Sequence, residues 1–341
     1  MKIPTLKFEE PISAPTKLDM LAPGGSQEPF PNRNYCRLKI FGSARYGHIQ
    51  SMNSQASSAT LTGLTESQKA ALLTLLADDD PAVYQLIRRK LLGYGDAAVL
   101  WLSQHRLSSD PVLRLRASAI VRYVRGQQAD NRFLAFCLNH GEDFDIEEGA
   151  WLLAQTQYPE INVLGYQAVL DSYAQVLSEK IGVETSPESV LRAMTEFLFV
   201  QQGFRGAEQN YYDPENSYMN RVLDRRTGSP ISLCVLYMLL GRRLQVPIVG
   251  VGMPGHFLAR YQSMQGEIYI DAFHQGKLLS KADCVKYLKQ NRIGFEDSLL
   301  SVANSRRMLQ RMCANLHQIY TEQQLAEESE RFQRYIVALA R

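Results

Sequence analysis

The sequence predicts an α+β fold that is mostly helical. Three patterns carry that expectation. Polar helix starts led by Thr or Asp recur through the first half, the Asp-rich ones at about 30 to 33 residues. A dense apolar run at Ile231, Leu233, Val235, Leu236, Leu239 and Leu240 reads as a helix buried on most of its faces. Three short strand-like runs follow it, Pro247–Met253, His256–Tyr261 and Glu267–Asp271.

Taken in order, residues 1–57 are irregular, punctuated by Pro4, Pro11, Pro15, Pro23, Pro29 and Pro31, with Tyr35–Ile40 as one short strand. Residues 58–135 read as helices. Thr65 with Gln68 is a capping-box pattern before Ala70–Leu76. Asp80-Pro81 opens Val83–Leu92, which Gly93 and Gly95 break. Ala97–His105 comes next, and Asp110-Pro111 opens Val112–Val124. A similar start at Asp143–Asp145 precedes Glu147–Gln155. The spacing predicts stacked helical hairpins of HEAT type over residues 64–124, a layer against the core whose concave face suits a protein partner. Arg114, Arg116, Arg122 and Arg125 read as a solvated face.

Leu164–Leu177 and Ser189–Val200 follow as amphipathic helices. Gly203–Asn216 is a long loop with paired tyrosines, and Asn216 or Ser217 is expected to cap a short helix to Arg225. A loop of that length is often functional, so Tyr212 and Asn216 are candidate binding residues on one wall of a cleft. In the apolar helix, Ser229 is placed to cap, Pro230 fits the first helical position, Arg242 and Arg243 suit the C-terminal end, and Pro247 stops it. Ser229 and Ser232 at its start join the candidate binding residues. After Phe273 a turn, His274–Lys277, leads to a helix capped by Ser280. Two more helices fill Ser305–Ala340.

Two polar residues stand out among the strands. A loop at Gln262–Gln265, closed by Tyr261 and Gly266, pairs His256 directly with Asp271. A carboxylate beside an imidazole fixes its tautomer and raises its basicity, the orienting half of a Cys-His-Asp or Ser-His-Asp device. The same pair also serves as a plain polar tie in a hairpin.

Four motifs carry a family resemblance: GFRG at Gly203–Gly206, YYDPENSYMNRVLDRRTGSPISL at Tyr211–Leu233, PGHFLARY at Pro254–Tyr261 and YIDAF at Tyr269–Phe273. Together they resemble the SirB-type branch of the transglutaminase-like family, from about Cys137 onward. The resemblance implies a papain-like α+β core over residues 136–290 and a tetratricopeptide-like helical pair over residues 291–341, which RMCANLHQIY opens. It matches His256 and Asp271 to the family's His and Asp. It also puts Pro230 where catalytic members carry their cysteine, so the usual nucleophile is missing. Cys234 lies one helical turn further on and reads as core, with Ser232 as another displaced candidate.

Composition narrows the function. A net charge of +2 gives no bulk argument for nucleic acid or an anionic membrane. No apolar run reaches the roughly 18 residues of a membrane span. The five cysteines are scattered, without metal-ligand spacing, and fit a reducing cytoplasm; no signal peptide, cofactor motif or metal motif is expected. Two readings follow. One is a non-catalytic or regulatory module that binds a protein or peptide through the His256/Asp271 cleft and the helical repeats. The other is a cysteine- or serine-type hydrolase or acyl transferase with Cys234 or Ser232 as nucleophile, His256 as base and Asp271 as orienter.

Overall fold

Polar caps set the helix starts. In the computed structural model, which describes residues 61–182, 186–263 and 266–341, Thr65 and Gln68 form a full capping box ahead of α1 (Glu66–Leu76). Asp80 accepts from the Ala82 N–H at the head of α2 (Pro81–Gly93), and Asp110 accepts from Val112 and Leu113 at the head of α4 (Pro111–Asn139). Between them lies α3 (Asp96–Ser103). The expected irregular stretch of residues 1–57, and the Tyr35–Ile40 strand within it, lie outside the described residues.

Helices α1 to α3 and the first part of α4 share a small apolar cluster that includes Leu76, Leu91, Leu102 and Ile120. The second part of α4 puts Phe133, Phe136 and Cys137 into the main core instead. This corrects the expectation that the helix ends at Val124. Gly126 is the weakest helix former in that stretch. A lone helical glycine costs about 1 kcal/mol relative to alanine, too little to end a helix anchored at both ends.

The core opens with α5 (Ile146–Gln157), α6 (Val163–Ile181) and α7 (Pro187–Thr195), capped by Asp145, Asn162 and Ser186. A π-helical turn, Glu196–Gln201, follows α7. Two short parallel strands, β1 (Arg205–Gly206) and β2 (Thr227–Gly228), bracket the tyrosine loop and α8 (Met219–Arg225). Asp213, not Asn216, caps the 3-10 turn Pro214–Ser217, and Tyr218 heads α8 without a side-chain cap. Asn216 and Ser217 sit inside that turn, so neither makes the expected cap.

The apolar helix is α9 (Pro230–Arg243), with the Ser229 hydroxyl accepting from the Ser232 N–H. Ile231, Leu233, Cys234, Val235, Leu236, Tyr237, Leu239 and Leu240 are all buried. The helix is covered by the sheet on one side and by α6, α8 and α11 (Ser305–Glu322) elsewhere, which accounts for its dense apolar pattern. The sheet is antiparallel, in the order β6 (Lys277–Leu279), β5 (Gly266–Asp271), β4 (His256–Ser263), β3 (Ile248–Met253), β7 (Val302–Ala303). Phe257, Ala259 and Ile270 point into the main core with α9. Val251, Leu258 and Tyr269 belong to a second cluster with Cys284 of α10 (Lys281–Gln290). Helices α11 and α12 (Ala326–Leu339) pack on the core through Met308, Met312, Phe332 and Tyr335.

One charged clamp fixes the far end of α9. The buried Glu147 carboxylate accepts from Arg243 Nη2 at 2.8 Å and Nη1 at 3.0 Å and pairs with Arg242; Arg243 Nε also reaches Asp171 at 2.6 Å. Three elements, α5, α6 and α9, meet in this network. Removing the carboxylate leaves a largely buried guanidinium without its main counter-charge. Glu147→Ala should therefore cost about 3 kcal/mol, near the lower end for breaking a buried pair because Arg242 is half exposed. Urea unfolding that shows a loss below about 1 kcal/mol, with an unchanged slope, would remove the clamp from the account of stability.

Candidate functional site

The hairpin turn places the histidine. Pro254 and Gly255, with φ +75 at the glycine, match the second and third positions of a type II turn. His256 then opens β4 opposite Met253. Strand β4 runs to Ser263, opposite Gly266, two residues beyond the expected closure. The observed register therefore differs from direct His256–Asp271 pairing: its continuation sets Asp271 across from Leu258. A shift of two residues keeps both side chains on one face as diagonal neighbours, within reach of a long side chain. His256 Nε2 lies 3.0 Å from Asp271 Oδ1. That is an ion-pair distance, although the ring is turned so that Nε2 makes no aligned hydrogen bond.

A third residue joins them. After β5 the chain turns tightly, with Gln275 and Gly276 both at positive φ and the Gly276 N–H donating to the Asp271 carbonyl at 2.8 Å. Gly276 is required twice over there, since a Cβ would also stand 2.6 Å from Phe199. The turn brings His274 back onto Asp271. Its N–H donates to Oδ1 at 3.2 Å, and its Nδ1 lies 2.8 Å from Oδ2. The carboxylate thus sits between two imidazoles, one against each oxygen. Burial alone would raise the Asp271 carboxyl; His256 and His274 outweigh it and hold the group below the usual carboxylate range. The hydrogen bond that the His274 ring donates to Asp271 pushes the imidazole up, against its own burial.

The remaining candidates lie elsewhere. Cys234 is fully buried, with Sγ 3.4 Å from the Phe257 carbonyl; burial first and the Asp271 charge second push its thiol well up. Ser232 is also fully buried and donates from Oγ to the Asn216 carbonyl at 2.6 Å. The Ser229 N–H donates to the same carbonyl at 2.9 Å. Asn216 Nδ2 donates to the Asn210 carbonyl at 2.7 Å. These three residues tie the tyrosine loop to the head of α9 rather than face a cleft. Tyr212 stays half-buried at the surface and stacks edge-on with Tyr211.

Two groups escaped the sequence reading. His274 was placed in a turn, though its spacing of three from Asp271 is the one local signal that links them. Of the aromatic surround, the paired tyrosines are expected on a cleft wall, whereas Phe273 and Tyr287 are not. Phe273 and Tyr287 stand 6.3 and 6.0 Å from the His256 ring, and Tyr211 meets Phe273 at 6.0 Å. These contacts join segments far apart in the chain, so no spacing reveals them. His256, Asp271 and His274 are also the one set among the described residues whose ligand atoms, all within 4.8 Å of one another, could hold a metal ion.

Two measurements test this geometry. Cys234 should resist alkylation in the native protein and react only on unfolding, and Cys234→Ser should cost no more than about 1 kcal/mol, because the new hydroxyl keeps the Phe257 carbonyl as its acceptor. Rapid native labelling mapped to Cys234 would reverse that assignment. The second is the His274 titration. Its folded value lies above the ordinary 6.5, so the Asp271–His274 pair contributes fully below pH 6.5, and the contribution is lost as pH rises through the folded value. In chelator-treated protein, Asp271→Asn should return the His274 midpoint, read by NMR of the ring protons, towards 6.5. An unchanged midpoint would remove the carboxylate from control of that ring.

Comparison with known proteins follows the same lines. Residues 165–314 match the family described as the transglutaminase-like superfamily. A UPF0162 protein of Xylella fastidiosa is 33% identical over 186 residues, covering 52% of this chain and 66% of the relative. Human F-box only protein 21 is 34% identical over 231 residues, 59% of this chain and 36% of that protein. Protein SirB1 of Salmonella typhimurium is 25% identical over 122 residues, 36% of this chain and 45% of that protein. The chain thus spans just under two thirds of the Xylella relative and about a third of the F-box protein. No solved structure matches it. The motifs, the helix-and-sheet core and these relatives agree: residues 165–314 carry a transglutaminase-like domain, and the chain is similar to SirB-type proteins.

Proposed function

We propose that this chain is a non-catalytic transglutaminase-like module that binds a protein or peptide at the surface around His256 and Asp271. One observation carries the reading. Pro230 heads α9, and the two displaced nucleophile candidates, Cys234 and Ser232, are fully buried and bonded elsewhere. A nucleophile needs solvent access, a base within hydrogen-bond reach and, for cysteine, a lowered pKa. Neither candidate meets these conditions, which disfavours the hydrolase or transferase alternative. His256 and Asp271 then serve recognition instead of proton transfer.

The surroundings support binding. Tyr211, Tyr212 and Tyr287, all half-buried, gather beside His256 with the buried Phe273 behind them, and rigid aromatic side chains supply contact area at low entropic cost. The likeness to F-box only protein 21 supports a setting of protein–protein contacts. In the N-terminal layer, proposed to act as HEAT-like repeats, Leu86, Leu100, Leu107 and Leu115 are strongly exposed, which favours a further partner contact there. We place the protein in a reducing cytoplasm, a reading its four described free cysteines support. The tetratricopeptide-like nature of α11 and α12 is part of the same proposal.

The test combines labelling with selection. Thiol- and serine-directed activity probes should leave Cys234 and Ser232 unmodified in the native chain. Peptides selected on the native protein by display should lose about tenfold or more in affinity on Tyr211→Ala or His256→Ala, read by fluorescence polarisation. Selective labelling of Cys234 or Ser232, or selected peptides indifferent to both substitutions, would overturn the reading.

A further inference from the structure

We infer that His256, Asp271 and His274 form a binding site for a divalent transition-metal ion of the zinc class. The inference goes beyond the peptide-binding reading and does not rest on it.

The donor set comes first. Two imidazole nitrogens and one carboxylate suit zinc and its first-row neighbours, whereas magnesium and calcium prefer all-oxygen sets. The separations come next. His256 Nε2 and His274 Nδ1 stand 3.0 and 2.8 Å from the two Asp271 oxygens, and all the ligand atoms lie within 4.8 Å of one another. Adjacent ligands of a tetrahedral ion with bonds near 2.1 Å stand about 3.4 Å apart, so closure asks for shifts of only about an ångström. Three protein ligands leave at least one coordination position for water or a bound group.

An independent observation points the same way. His256 is 8% exposed, yet its Nε2, the nitrogen turned to Asp271, has no aligned hydrogen-bond partner. A buried polar atom normally has one, and a coordinated ion supplies the missing interaction. The backbone explains why the three side chains converge. The Pro254-Gly255 turn fixes His256, and the Asp271–Gly276 turn folds His274 back onto Asp271. An entry path is open as well, because the His274 side chain is 34% exposed while the other two are covered. The local charge is mixed: Glu208 and Lys277 act on His274 with opposite signs, leaving Asp271 as the dominant anion at the site.

Coordination balances without any other reactant. Each imidazole binds through the lone pair of the nitrogen facing Asp271. In its neutral form the ring keeps one proton, on Nδ1 of His256 and on Nε2 of His274. A ring that starts protonated releases its extra proton to solvent.

The experiment uses the full chain, stripped with chelator and titrated with zinc chloride by calorimetry. Expected are one zinc per chain, with a dissociation constant below about 10 μM, and at least about tenfold weaker binding in His274→Ala. Cobalt(II) should give visible d–d absorption that is lost in the same variant. His105→Ala, in the unrelated 3-10 turn Gln104–Leu107, should leave both readouts unchanged. His274→Ala removes a half-exposed side chain, and circular dichroism checks that it folds; if it does not, His274→Gln takes its place. Zinc binding that survives loss of the His274 ring, or that falls equally in His105→Ala, means adventitious surface coordination and overturns the site, as does the absence of binding in the native chain. None of these readings involves a peptide or an activity, so failure here is distinct from failure of the binding-module proposal.

Discussion

The full burial of α9 is the constraint around which the other elements are arranged. A helix apolar on nearly every side has no stable surface position, so the chain must cover it with a sheet, with α6 and α8, and with α11 arriving from far along the sequence. Its two ends are then held by polar groups that cannot be left bare. At the head, Ser229 and Ser232 both bond the Asn216 carbonyl, and at the tail Arg242 and Arg243 close on Glu147. Both fastenings tie α9 to segments that precede it, and the position of the sheet follows.

Position in that frame separates chemistry from structure. Residues that lie on α9 are absorbed by packing, which is the fate of Cys234 and Ser232. Residues at the strand ends are also covered, but they meet polar groups of the adjoining turns instead of apolar layers, as His256 and Asp271 do. His256, Asp271 and His274 all lie within one residue of a turn or inside one. These polar side chains therefore gather at one end of the β3–β4–β5 sheet.

The fold was legible where local rules act alone. Caps at Thr65, Asp80, Asp110, Asp145 and Ser229 mark helix starts because a short polar side chain answers orphaned N–H groups directly. The density of α9 read as burial for a similar reason. What failed was anything set by partners distant in sequence. The end of α4 depends on a core that Phe133 and Phe136 join from the far side. The β4–β5 register depends on how many residues the strands can pair, and two candidate binding residues, Asn216 and Ser232, turned out to bond each other. At the site, the His and Asp were visible, whereas His274 and the aromatic surround beyond the paired tyrosines needed the folded geometry.

The continuity of α4 has a mechanical meaning. At about 1.5 Å per residue, its 29 residues make a rod of some 43 Å that begins among the N-terminal leucines and ends beside α5. Two apolar clusters are threaded on one stiff axis, so there is no flexible joint on which the layer could swing. A ligand pressing on the N-terminal helices would load α4 along its length, and the strain would arrive at Phe136 and Cys137 within the main core. A protease would likewise find no linker to cut between the clusters, and a truncation near residue 135 would sever the rod and strip a face from both.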